Sequence, residues 1–145
     1  MLCILFCLIS INKFLRNKEL TNSEHFFIRI PFAVYLGWIT VATIANTVTF
    51  LVDLNWNRFS LSEVFWTITI VIIGAIIGFF VAIYIHSMAY GAVVIWAYVG
   101  ILIKRLSPEE MDGQYISIIV VVITSILLLL AAEIRVCLDK KKNKK

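Results

Sequence analysis

Tyr35, Trp38, Ala42, Ala45, Asn46, Thr49 and Asp53 recur at spacings of three and four. On a helix that spacing puts them on one face. With its polar groups that face could line a site for an apolar ligand. The same face also suits a helix–helix interface joined by small and polar side chains. Thr40, Thr43 and Thr47 occupy the adjacent face, where their hydroxyls can bond back to helix carbonyls. Gly74, Gly78 and Ala82 form a second pattern, at intervals of four. It lets two helix backbones approach closely, within one chain or between two copies.

Other chemistry-bearing residues are sparse. Glu63 and Glu133 fall near the ends of apolar stretches, where a carboxylate reaches water; a proton-coupled transporter usually places one deeper. His25 and His86, the two histidines, lie in or beside connections, with no neighbours at metal-ligand spacing. Cys3, Cys7 and Cys137 make an odd count without a disulfide pattern. No nucleophile–base pair, phosphate-binding glycine loop or zinc spacing occurs. The residues therefore point away from an enzyme and imply no cofactor. Trp56 and Trp66 sit where tryptophan favours the headgroup level. Trp38 and Trp96 lie deeper, as packing residues or as a ligand wall.

The elements that would position these residues are membrane helices. The 145 residues are 61% hydrophobic and 15% charged, with mean hydropathy +0.96. Soluble domains have about 45–50% apolar and about 25% charged residues. A single core of this size could not bury the excess. A helix crosses the hydrocarbon with about 20 apolar residues. Residues 30–52, 64–85, 87–103 and 113–132 are free of charge. In lipid each span must satisfy its own backbone hydrogen bonds, so the β-branched residues of 115–124 do not argue for a strand. Residues 1–15 predict a shorter first helix, with no basic region before it and no cleavage site after it.

The expected fold is an all-α, polytopic transmembrane bundle: one membrane domain with spans at about 1–15, 30–52, 64–85, 87–103 and 113–134. His86 leaves room only for a tight hairpin between the third and fourth helices. Ser107 and Pro108 are expected to start the last helix, as cap and first residue. A basic tail follows at 135–145. With the C-terminus inside, the inner side collects Lys13, Arg16, Lys18, Arg29, Arg135 and the tail lysines. The outer side has Arg58, Lys104 and Arg105, so the charge bias orients the C-terminus to the cytoplasm of a cell membrane. The lysines adjoin an apolar segment, which suits anionic lipid rather than nucleic acid.

One segment goes further. Pro31, Tyr35-Leu36-Gly37-Trp38, Ala42-Thr43, Asn46 and Leu54-Asn55 together resemble the last helix of the translocator protein family, also called TspO/MBR or tryptophan-rich sensory proteins. That helix reads Pro-Tyr-Leu-x-Trp, Ala-Thr, Asn and then Leu-Asn; here Phe32-Ala33-Val34 separates the proline from the tyrosine. Ala89-Tyr90, Trp96-Ala97 and Gly100-Ile101 are similar to a longer branch of the family. The family's Trp-x-Pro-Pro and Asn-x-x-Trp-Ser patterns are absent.

The resemblance implies the C-terminal portion of a longer member, with 1–15 ending a fourth helix, 30–52 as the fifth, and the rest added. It further implies non-enzymatic binding or transport-related handling of a tetrapyrrole or another flat apolar molecule. Trp38 and Asn46 would lie on the pocket side, with Tyr35 and Ala42 beside them. Two alternatives stand: a structural or partner-binding module that forms a homo-oligomer through the Gly74, Gly78 and Ala82 face, and a small cation-coupled exporter.

Overall fold

The computed structural model describes residues 1–18, 20–53, 62–107 and 116–142, with the backbone alone at 22, 51–53, 63 and 140–141. These residues form α1 (Leu2–Arg16), a short α2 (Asn22–Glu24), a π-helical turn (His25–Arg29), α3 (Ile30–Asp53), α4 (Glu63–Ile85), α5 (Met88–Leu106) and α6 (Ile116–Lys142). Among the described residues four stretches are long and apolar enough to cross a membrane: His25–Phe50, Val64–Ile85, Met88–Leu106 and Ile116–Asp139. The architecture is thus the expected all-α bundle, four spans with a short N-terminal helix.

Local chemistry sets the helix ends. Thr21 and Glu24 form a reciprocal capping box: the Thr21 N–H and hydroxyl donate to the Glu24 carboxylate at 2.9 and 2.8 Å, and the Glu24 N–H donates to the Thr21 hydroxyl at 3.4 Å. The helix therefore starts upstream of residue 30 and reaches α3 through the π turn. Pro31 offers a reason for that turn: its ring crowds the carbonyl four residues back, and widening the helix relieves the clash. Ser62 caps α4 by accepting the Phe65 N–H at 3.2 Å.

At the other end of α4, His86 takes the left-handed conformation (φ 50°, ψ 45°). With Ser87 it makes the two-residue link to α5, the tight hairpin that the sequence required. Ser107 is extended and closes α5. Its expected role in starting the last helix falls on residues 108–115, outside the described ones, as do Trp56 and Arg58. At the C-terminus α6 runs through Cys137 to Lys142, so the first part of the basic tail is helical.

The helices pack in the spatial order α1, α3, α5, α6, α4, with α4 closing back on α3 and α1. α6 is the central support. Its buried residues Ile118, Val122, Ser125, Leu129, Ala132 and Val136 recur every three or four positions, facing α4 and α5. Gly78 lies against Val94 and Leu129, Gly74 against Tyr98 and Ile44, and Ala82 is buried. The small-residue face of α4 thus meets helices of its own chain. Polar side chains add specific ties. Tyr98 donates to the Val71 carbonyl at 2.6 Å. Buried Asn12 donates to the carbonyls of Leu8 (2.9 Å) and Phe32 (3.2 Å), joining α1 to α3.

α3 and α5 approach closely at Gly37. A Cβ there would stand 2.9 Å from the Val93 Cβ and 3.0 Å from the Tyr90 carbonyl oxygen, positions fixed by the α5 backbone. Gly37→Ala should therefore destabilise the bundle by about 1–3 kcal/mol, the usual cost of overpacking. Gly100, with nothing within 4 Å of its would-be Cβ, serves as the control. Gly100→Ala should leave stability unchanged or slightly raised, and thermal unfolding of the two variants in detergent checks both.

The Thr21 backbone and side-chain hydrogen bonds also hold the Glu24 carboxyl below its ordinary value of 4.5. A carboxyl lowered by folding stabilises the cap fully above that ordinary value and ceases to as pH falls through the lower folded one. Amide exchange at Glu24 and His25 should be protected at neutral pH and lose that protection in acid.

Candidate functional site

Contact at Gly37 brings α3 against α5, and beside it their outward faces diverge into a groove. α3 contributes Pro31, Val34, Tyr35 and Trp38; α5 contributes Ala89, Ala92, Val93 and Trp96. The volume is about 720 Å³, within the range of small-molecule sites. The two alanines keep the α5 wall low, while Trp38 and Trp96 rise on opposite sides, 62% and 76% exposed. The lining is almost wholly apolar, and no acid or base lies in it. An uncharged ring or chain can lie there; the arrangement has no means of activating one.

The candidate residues separate in space. Tyr35 and Trp38 line the groove, whereas Ala42 and Asn46 do not. Each step of four residues turns the helix face by about 40°, which carries the stripe round α3 and away from α5. Asn46 ends beside α1, where its amide Nδ2 lies 2.8 Å from the Met1 Sδ. Ala45 turns the other way and lines a smaller apolar cleft of about 150 Å³ between α3, α4 and α5. Thr40, Thr43, Thr47 and Thr49 each donate to the carbonyl four residues back, at 2.7–3.2 Å.

The α5 wall was legible, but only in part. Ala89, Ala92, Val93 and Trp96 follow the i, i+3, i+4, i+7 pattern of one helix face. Nothing in that pattern says which helix the face meets. The pairing of Trp38 with Trp96 depends on α3 packing more extensively on α5 than on α4, its neighbour in sequence.

The ionisable residues sit apart from the groove lining. Glu133 places Oε1 where a Cβ on Gly91 would stand, against the first turn of α5. A carboxylate at that position meets the positive end of the helix dipole. The Glu63 side chain lies outside the described residues. His86 Nε2 is 3.8 Å from Asp139 Oδ2, an ion pair only when the histidine is protonated. Among the described residues, no three or more His, Cys, Asp and Glu side chains come together as a metal site. Cys3, Cys7 and Cys137 are exposed free thiols.

Because both groove tryptophans face outward, lipids brominated along the acyl chain should quench much of the fluorescence of the reconstituted protein. Trp38→Phe and Trp96→Phe should each remove a quenched component. Finding both rings shielded from the brominated chains would contradict the open groove.

The family model described as TSPO-like protein matches residues 1–133, from α1 into α6 and so across the helices that the sequence resemblance set outside its shared core. No curated protein and no solved structure matches the chain.

Proposed function

From its place in the TSPO-like (TspO/MBR) family, to which this chain belongs, we propose that it binds a flat apolar molecule, such as a tetrapyrrole, for transport-related handling in the membrane. Proteins of the family are non-enzymatic. The observation that carries the reading is the groove between Trp38 and Trp96, which is large enough for a polycyclic ring and open along one side. An apolar ligand already dissolved in the bilayer can slide in laterally without crossing water. Once there it exchanges contact with mobile lipid chains for contact with two indole faces. The Tyr35 ring lies one helical turn from Trp38 and can fix the ligand's orientation.

The chain is a multi-pass membrane protein. We place it in the cell membrane with its C-terminus on the cytoplasmic side. Lys13, Arg16, Lys18, Arg29, Arg135 and Lys142 all lie toward the end of the bundle that holds the α4–α5 hairpin, which supports that orientation.

A partner-binding module is the second reading. The exposure of Trp38 and Trp96 favours it, because the same open face could receive an apolar helix of another chain or of a second copy. The Gly74, Gly78 and Ala82 face is less suited to that role, being packed inside its own bundle. For the exporter, the Glu133 carboxylate lies near the hairpin end rather than at mid-membrane.

Titration of the protein in nanodiscs with a porphyrin, followed by tryptophan quenching, tests the proposal. Wild type should saturate. Trp38→Ala and Trp96→Ala should each weaken binding about tenfold, from the loss of about 1–1.5 kcal/mol of ring contact. Asn46→Ala should have little effect, since that residue lies outside the groove. Quenching that never saturates and matches empty nanodiscs would refute ligand binding. Crosslinking between Trp96→Cys copies would then support the partner-binding module.

A further inference from the structure

At the hairpin end of the bundle, cations converge on a place that the groove does not use. Arg16, the last residue of α1, donates through Nη1 to the Tyr84 carbonyl at 2.5 Å. Lys13, one turn earlier on the same helix, holds its ammonium 5.9 Å from the centre of the Tyr84 ring. Arg29, at the end of the π turn, is half-buried and close enough to Arg16 for the two like charges to act on each other. Two cations of α1 therefore meet the last turn of α4, with Arg29 of the π turn near Arg16.

The described carboxylates at this end are engaged elsewhere. Glu24 accepts from Thr21, Glu133 lies against Gly91, and Asp139 faces His86; Glu19 is outside the described residues. The Tyr84 carbonyl takes one of the five N–H groups of the Arg16 guanidinium. A half-buried guanidinium beside a second one is unfavourable without an anion close by.

We propose that this notch between α1, the start of α3 and the end of α4 binds the phosphate of an anionic phospholipid. Guanidinium forks match phosphate oxygens in pairs, and a lysine adds a point charge. The notch lies at the ends of the spans, the depth of the headgroups, where basic pockets between membrane helices take anionic lipids. Phe14 on α1 is 62% exposed and Phe27 in the π turn is 75% exposed, so this end of the bundle presents apolar surface to lipid.

The test uses the full chain in phosphatidylcholine nanodiscs, with and without phosphatidic acid. Lipid retained on release is read by native mass spectrometry, and thermal unfolding is followed in parallel. Wild type should hold phosphatidic acid in preference to phosphatidylcholine and unfold several degrees higher in its presence. Arg16→Gln with Arg29→Gln should cut that retention at least tenfold. Arg16→Lys, which keeps the charge but loses the fork, should lower it in a chain that still folds if the double variant does not.

Lys140→Gln with Lys141→Gln and Lys142→Gln removes more charge from the same end and should leave retention unchanged. Equal loss from the tail variant and the arginine variants would overturn the site in favour of diffuse surface charge. Equal retention by all variants would overturn it outright. Inorganic phosphate that reproduces the stabilisation in plain phosphatidylcholine discs would overturn the lipid as the source of the anion.

Discussion

Contact between α3 and α5 at Gly37 sets the geometry of the groove, because in lipid two helices gain little from hiding apolar surface and must gain from fitting closely. The missing Cβ brings the α3 backbone against Val93 and the Tyr90 carbonyl. Ala33, Leu36 and Tyr90 are fully buried around that approach. The groove is the outward consequence of the same contact. Where the two helix surfaces curve apart, the small Ala89 and Ala92 leave space, and the large Trp38 and Trp96 bound it. Binding face and packing face are adjacent strips of the same two helices.

Polar groups within the spans answer to a second constraint. Hydrocarbon offers them no partner, so each must find one in the protein. Thr43, Thr47 and Thr49 resolve this locally by bonding back along their own helix. Asn12 and Tyr98 resolve it across helices and tie α1 to α3 and α5 to α4. The ends of the helices follow the same rule with charge. Arg16 takes a carbonyl in the last turn of α4, and Glu133 meets the first turn of α5, each matched to the sign of that end of the helix dipole.

Much of this was legible in the residues. Long uncharged runs between charged ends leave an α-helix as the stable backbone conformation in lipid, so the spans followed from composition and length alone. His86 and Ser87 had to be a hairpin because no more residues were available to make a loop. The family followed from a short pattern around Tyr35, Trp38 and Asn46, and the family match then covered far more of the chain than that pattern did.

What only the tertiary structure decided is which faces meet. Tyr35, Trp38, Ala42 and Asn46 share a stripe on paper. The drift of about 40° for every four residues, together with α1 on one flank and α5 on the other, sends Trp38 to the groove and Asn46 to Met1. Trp96 lies 58 positions from Trp38, and no local spacing relates the two. They are brought to one groove because α3 packs on α5, leaving α4 to lie on α6. Spacing along one helix orders side chains by angle; the partner for each angle comes from how the helices close-pack, and that is a property of the whole bundle.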